Sequence, residues 1–455
     1  MHAAPVLWEE RRSAAIPADK DDYMRRDATT DPALRSWVPV ERGSDFPIQN
    51  LPYGTFVRAS ERARIGVAIG SSILALDAVA EAGLLDGICA DARGVFGATS
   101  LNGLLACGRA AWRATRERIS RLLSAGDQTL QAAGIAERAV LPQRSVALTL
   151  PIEAGDYVDF YSSLEHATNV GRIFRPSGDA LPPNWRHLPI GYHGRSASIV
   201  SGGTAVRRPR GQINLGTGSP LYEPSRALDF ELELAFVTGN GPEPPAPIPV
   251  SAARDYIFGL ALLNDWSARD MQTWEYQPLG PFLAKSFATS LSPWIVTFDA
   301  LEPYRVAGPV QEPAPLPHLA SSAPEAYDIS LEVALTSEAM RARETTEQTI
   351  TRTNFRGMYW SMAQQLAHLS SNGSRVRAGD VFGSGTISGA GPKELGSLLE
   401  LTWRGERPLI LADGTQRSFL ADGDEVVMRA WCEAQDRARV GFGELRGRVL
   451  AASAS

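Results

Sequence analysis

Hydrophobic and polar residues alternate strictly over residues 228–236. Leu228, Phe230, Leu232, Leu234 and Phe236 fall on one face of an extended chain, and Asp229, Glu231 and Glu233 on the other. The alternation predicts a strand with one apolar and one acidic face. Residues 257–263 are a short apolar run, readable as a buried strand that delivers Asn264 and Asp265 at its end. Residues 64–76 read as two short strands around a Gly70-Ser71 turn, and a further strand starts at Glu425. A helical period shows twice. Over 104–123, Trp112, Ile119 and Leu122 lie near one face with Arg113, Arg116 and Arg121 elsewhere, and Gly126 can end the helix. Over 355–369, Met358, Met362, Leu366 and Leu369 recur at helical spacing, Thr353 or Asn354 can cap the start, and Asn372-Gly373 can close it.

These elements divide the chain. Residues 1–35 mix charges and small residues without an apolar period and read as a flexible N-terminal extension. Residues 36–150 read as a small β-rich domain with a helix, and residues 151–455 as a larger, mostly-β domain rich in Gly and Pro. Two Pro-rich stretches, 242–249 and 303–324, belong on the surface rather than inside a sheet.

Composition narrows the class without naming a function. With 44% hydrophobic and 21% charged residues in 455, the chain has the make-up of a soluble globular protein of two or three domains. A net charge of −6 gives no footprint for nucleic acid. Cys89, Cys107 and Cys432 have no metal-type spacing, so a reducing, cytoplasmic setting fits best. No signal-like start and no bilayer-length apolar run occurs, so no membrane role is expected.

Chemistry concentrates in residues 156–169, where Asp159, Tyr161, two serines and His166 stand close together. Glu231 and Glu233, two apart on a strand, have Cβ atoms roughly 6.5–7 Å apart and can reach one cation. Hard oxygen ligands favour Ca²⁺ or Mg²⁺ over zinc. A solvated strand face explains the same pattern. Asp265, where a buried strand opens into Asn264-Asp265-Trp266-Ser267-Ala268-Arg269, is well placed to carry function. Lys285, among Phe282, Leu283 and Phe287, must reach water or be paired. Of the six histidines, His166 is the first candidate for a general base, a satisfied structural histidine being the other reading. The Gly-rich stretch 383–389 has no P-loop lysine and is given no phosphate role.

Longer motifs add a resemblance. Asp159-Phe160-Tyr161-Ser162-Ser163, His166-Ala167-Thr168-Asn169-Val170-Gly171, Asn184-Trp185 through Tyr192-His193-Gly194-Arg195, Asn264 through Arg269, and Gly383 through Gly389 resemble the fumarylacetoacetate hydrolase family. The likeness runs from about Ser44 to about Leu450. It implies a mostly-β (α+β) fold, with a small SH3-like N-terminal β-barrel and a large mixed β-sandwich roll as catalytic domain. It also implies a homodimer and a divalent cation, Ca²⁺ or Mg²⁺. The implied reaction is hydrolysis of 4-fumarylacetoacetate to fumarate and acetoacetate, the last step of tyrosine and phenylalanine catabolism.

Position by position, the resemblance makes Asp159, Glu231, Glu233 and Asp265 the metal ligands, with Lys285 and Thr289 associated with the same position. His166 becomes the base and Glu400 its orienting partner. Lys285, Gln272 and Arg269 become stabilisers of the oxyanion. Tyr161, Arg175, Tyr192, Gln272, Tyr276 and Thr386 become substrate contacts. Leu164, Glu165, Arg172 and Arg186 depart from the family's pattern beside the site without removing a catalytic group. A hydrolase or lyase acting on another acylpyruvate or β-diketone is the alternative. A catalytically silent metal-stabilised scaffold predicts loss of His166, Lys285 or a ligand, and none is lost.

Overall fold

The computed structural model describes residues 27–59, 61–216, 218–321 and 325–454. The chain is a mixed α+β protein dominated by strands. One 13-stranded sheet runs through both halves. Its N-terminal part is the meander Tyr53–Val57, Arg64–Ile69 and Ser72–Ala75, with Val140–Pro142 paired onto the last of these. Tyr53–Val57 then pairs antiparallel with Trp294–Thr297, which continues through Ile257–Asp265, Leu232–Thr238, Val381–Gly383, Tyr157–Phe160 and Gly191–His193. Among the described residues this order is open, and no closed N-terminal barrel forms. A five-stranded sheet of Gln348–Asn354, Ser330–Thr336, Glu425–Cys432, Val440–Leu450 and Val206–Arg207 packs against the larger one.

Burial explains why the strand over 228–236 departs from the half-exposed pattern expected of it, while the strand over 257–263 is buried as expected. Leu232, Leu234 and Phe236 join a core with Leu260, Leu262, Val333, Leu335, Met428 and Leu445. Ala235 and Val237, on the opposite face, pack into a second core with Val67, Ile69, Leu104 and Trp112. The strand is therefore covered on both sides, and Glu231 and Glu233 are buried rather than solvated. The alternation itself is right, but the strand breaks after Leu228–Asp229 and resumes at Leu232, whose N–H donates to Gly396 O.

Both predicted helices are shorter than their periodicity. The first splits into Asn102–Ala106 and Gly108–Leu123, with Gly108 at φ +80° in the left-handed region a side chain disfavours. Arg116 is buried, not on an open face. Its guanidinium donates to Asn50 O at 2.6 Å and Thr29 Oγ1 at 2.8 Å, and it reaches Thr297 Oγ1 in the other half. With Gln49 O at 2.5 Å, four acceptors satisfy a charge that burial alone would penalise. The second helix is Met362–Ser370, capped by Ser361 and Gln364 in a reciprocal capping box. Asn354 caps only the 3₁₀ turn Phe355–Gly357, and Thr353 lies inside the strand Gln348–Asn354.

Most of the expected flexible extension lies outside the described residues. Its last part, 27–35, carries the turn Ala28–Thr30 with Thr29 buried, so it is held there by Arg116 rather than loose. No helix among the described residues is long and apolar enough to cross a membrane.

Candidate active site

Strand register assembles the acidic centre. Asp159 in Tyr157–Phe160 lies opposite Gly383 on one side and Tyr192 on the other. Gly383 in turn faces Ala235 of the strand that carries Glu233, and Glu233 faces Leu263 of the strand that ends in Asp265. Gly383 is the spacer that makes this possible. A Cβ there would stand 2.9 Å from both Asp159 Oδ1 and Glu233 Oε2.

Asp159, Glu231, Glu233 and Asp265 are all buried, and one oxygen from each lies within 4.8 Å of the others. Lys285 Nζ donates to Asp265 Oδ2 at 2.6 Å and also to Glu231. Arg269 Nη1 pairs with Glu231 Oε1 at 2.7 Å, Tyr192 OH donates to Asp265 Oδ2 at 3.1 Å, and Gly385 N–H donates to Glu233 Oε2 at 3.0 Å. Asp159 Oδ1, Glu233 Oε1 and Tyr157 OH are buried without a partner.

Charge is distributed unevenly over this cluster. Burial pushes the Glu231 carboxyl up, but Lys285 and Arg269 outweigh it and bring it down to about 2. Burial raises Asp159 and Glu233 well above the usual carboxylate range, and repulsion from neighbouring carboxylates adds to it. Burial raises Asp265 too, against the pull of Lys285. Burial opposes the Lys285 ammonium, yet Asp265 and Glu231 leave it raised and charged. A buried anionic cluster with orphaned oxygens and no nitrogen or sulfur donor fits a hard divalent cation. Lys285 is a charge partner rather than a ligand, because a protonated amine has no free lone pair. Thr289, buried and opposite Asp265 in the neighbouring strand, lies beside the same position.

The second half of the site is a histidine–carboxylate pair. Ser163 caps the helix Leu164–Phe174 by accepting from His166 N–H, which fixes His166 in the first turn. His166 Nδ1 lies 2.6 Å from Glu400 Oε2. Glu400 sits in the short helix Leu398–Leu401, fully buried, and its Oε2 also accepts from Ser388 Oγ at 3.0 Å and Ser397 Oγ at 2.9 Å. Its other oxygen accepts from Asn169 Nδ2 at 3.0 Å. Burial would raise this carboxyl, but His166 and the converging donors hold it below its ordinary value. With Nδ1 committed to Glu400, Nε2 is the ring's remaining basic nitrogen. The Tyr161 ring stands edge-on to the imidazole at 5.4 Å.

The expected substrate contacts are placed at different depths. Thr386 is buried with its Oγ1 unpartnered, and Tyr192 is half-buried. Gln272 is half-buried and accepts from Arg269 Nη1 at 3.1 Å. Arg175 is exposed at the end of the His166 helix, with Nη2 donating to Ala180 O, and Tyr276 is exposed beyond Gln272. Sequence reasoning missed Asp229, Asn169, Gly383, Ser388 and Ser397. Asp229 had a signal, as the first acid of the alternating strand, but nothing in the spacing separated it from a solvated residue.

Two family models cover the chain. Residues 49–151 match "Fumarylacetoacetase N-terminal" and residues 157–450 match "Fumarylacetoacetate (FAA) hydrolase C-terminal". The chain is 49% identical over 421 residues to a fumarylacetoacetase of Rattus norvegicus, covering 92% of this chain and 99% of that one. It is 48% identical to the fumarylacetoacetase of Homo sapiens over the same shares, and 48% identical to that of Arabidopsis thaliana, covering 92% and 98%.

Proposed function

The chain belongs to the fumarylacetoacetate hydrolase family, and from that premise we propose that it hydrolyses 4-fumarylacetoacetate to fumarate and acetoacetate, the last step of tyrosine and phenylalanine breakdown. The observation that carries this reading is the buried His166–Glu400 pair beside the four-carboxylate cluster. Asp159, Glu231, Glu233 and Asp265 would hold Ca²⁺ or Mg²⁺. When bound, the cation supplies Lewis-acid polarisation of the β-diketone oxygens and countercharge for an enolate.

The chain's own groups account for the rest. His166 Nε2 takes a proton from water as the water oxygen bonds to the fumaryl carbonyl carbon, and Glu400 stabilises the imidazolium that results. Lys285, Arg269 and Gln272 are donors for the tetrahedral oxyanion, a role commonly worth about 3–4 kcal/mol per donor. Collapse breaks the carbon–carbon bond. Its electron pair leaves on acetoacetate, which gains a proton, while the new carboxylate belongs to fumarate. Arg175 and Tyr161 would take the substrate's terminal carboxylate, since a guanidinium fork suits that group, and Tyr192, Tyr276 and Thr386 would line its path.

We also read residues 36–150 as an N-terminal SH3-like unit, residues 151–455 as the catalytic domain, and the active form as a cytoplasmic homodimer. The exposed apolar residues Leu221, Tyr222, Trp274, Leu279, Phe282 and Leu283 support a paired surface. The test of the reaction is ¹H NMR of fumarylacetoacetate mixed with purified protein. Equimolar fumarate and acetoacetate, lost on chelation and restored by Mg²⁺ or Ca²⁺, are expected. Absence of both products with cation present overturns the assignment.

A further inference from the structure

Asp229 is fully buried between the two halves of the site, and three of the four donors to its carboxylate lead to one or the other. Its Oδ1 accepts from Leu398 N–H at 2.7 Å and from Phe230 N–H at 2.8 Å. Its Oδ2 accepts from Leu399 N–H at 3.0 Å and from Arg269 Nε at 2.8 Å. Leu398 and Leu399 open the short helix Leu398–Leu401, whose first N–H groups have no partner within the helix. The following residue is Glu400, bonded to His166. Arg269 extends in the other direction, to Glu231 and Gln272.

We propose that Asp229 is a positioning residue that locks the His166–Glu400 pair to Arg269, setting the base and the oxyanion donors at one fixed separation. The assignment rests on the functional reading above. A carboxylate suits this place because it offers acceptors only, and four donors converge on it. Asparagine has the same shape but must turn its amide N–H donors towards either the Leu399 and Arg269 donors at Oδ2 or the Leu398 and Phe230 donors at Oδ1. Either placement removes an acceptor from the helix start, and the first also breaks the bond to Arg269. Since a displacement of about 1 Å can cost about 10²-fold in rate, the fault should appear in turnover rather than in substrate affinity.

The test compares Asp229→Asn with wild type, both folded and loaded with Mg²⁺. The expected result is kcat reduced at least about tenfold with KM changed by less than about threefold. In Asp229→Asn/Glu400→Gln the combined loss should be clearly smaller than the product of the single losses, since both act through one group. The downfield imidazole N–H resonance of the His166–Glu400 bond should broaden or vanish in Asp229→Asn. A purely structural cap would lower Tm but leave kcat of the folded fraction, the resonance and multiplicative losses intact, and that result overturns the proposal. Where Asp229→Asn does not accumulate folded, Asp229→Glu, which keeps the charge but displaces it, is expected to give the same pattern. Failure of wild type to cleave fumarylacetoacetate would defeat the functional reading instead.

Discussion

At the scale of single residues, the centre depends as much on an absent side chain as on the acids. Gly383→Ala places a Cβ 2.9 Å from Asp159 Oδ1 and Glu233 Oε2, so the two carboxylates must part. Calorimetric titration with Mg²⁺ or Ca²⁺ should show affinity reduced at least about tenfold, about 1.4 kcal/mol. Titration gives a second prediction. Asp159, Glu233 and Asp265 have raised carboxyls in the cation-free fold, so the folded chain keeps protons that the unfolded chain releases. Their stabilisation is present below the ordinary carboxylate range and lost as pH rises towards neutrality. Glu231, brought down to about 2, acts oppositely, its contribution being lost only as pH falls below the ordinary range. The chelated protein should therefore lose Tm between about pH 5 and pH 8, and the gap to the cation-loaded protein should widen with pH. A gap independent of pH would contradict this account. The acids were legible as types from their motifs, but the partnering of Lys285 and the role of Asp229 were not. Both depend on which distant donors converge, and no local spacing encodes that.

At the scale of elements, the helix Leu164–Phe174 must sit close to the loop that follows it. Gly171 lies in its last turns, and a Cβ there would come within 1.7 Å of Ala180 O. Alanine would gain about 1 kcal/mol of helix propensity. A hard overlap with backbone cannot be relieved by a rotamer change, and overpacking typically costs about 1–3 kcal/mol. The clash wins. Gly171→Ala should lower Tm and, because the same helix carries His166, reduce kcat at least about tenfold in a steady-state assay. Period was enough to predict the strand Ile257–Asp265 and the strands around Gly70. It overextended both long helices, because Met358 and Leu104 contribute apolar positions from neighbouring turns that happen to continue the period. The stop signals were Gly108 at positive φ and the Ser361 capping box.

At the scale of the molecule, one sheet carries the N-terminal meander and the acidic centre, and the buried guanidinium of Arg116 ties residues 29, 50 and 297 together. Burial of the Glu231–Glu233 face was not readable from that strand, because the residues covering it, Leu104, Trp112, Arg269 and Lys285 among them, come from other segments of the chain. A surface carrying exposed Leu279, Phe282 and Leu283 should be covered by a second copy. Phe282→Asp is expected to shift the protein from dimer to monomer in sedimentation equilibrium, and an unchanged mass would exclude this face as the contact. On the proposed mechanism His166, held by Glu400, activates water beside a cation that the four acids bind independently of it. The most direct test is the rate of fumarylacetoacetate disappearance with wild type and His166→Ala at equal bound Mg²⁺. Rapid cleavage by wild type and a loss of about 10²–10⁴-fold in the variant at unchanged metal content are expected. Wild-type turnover in His166→Ala would contradict that mechanism.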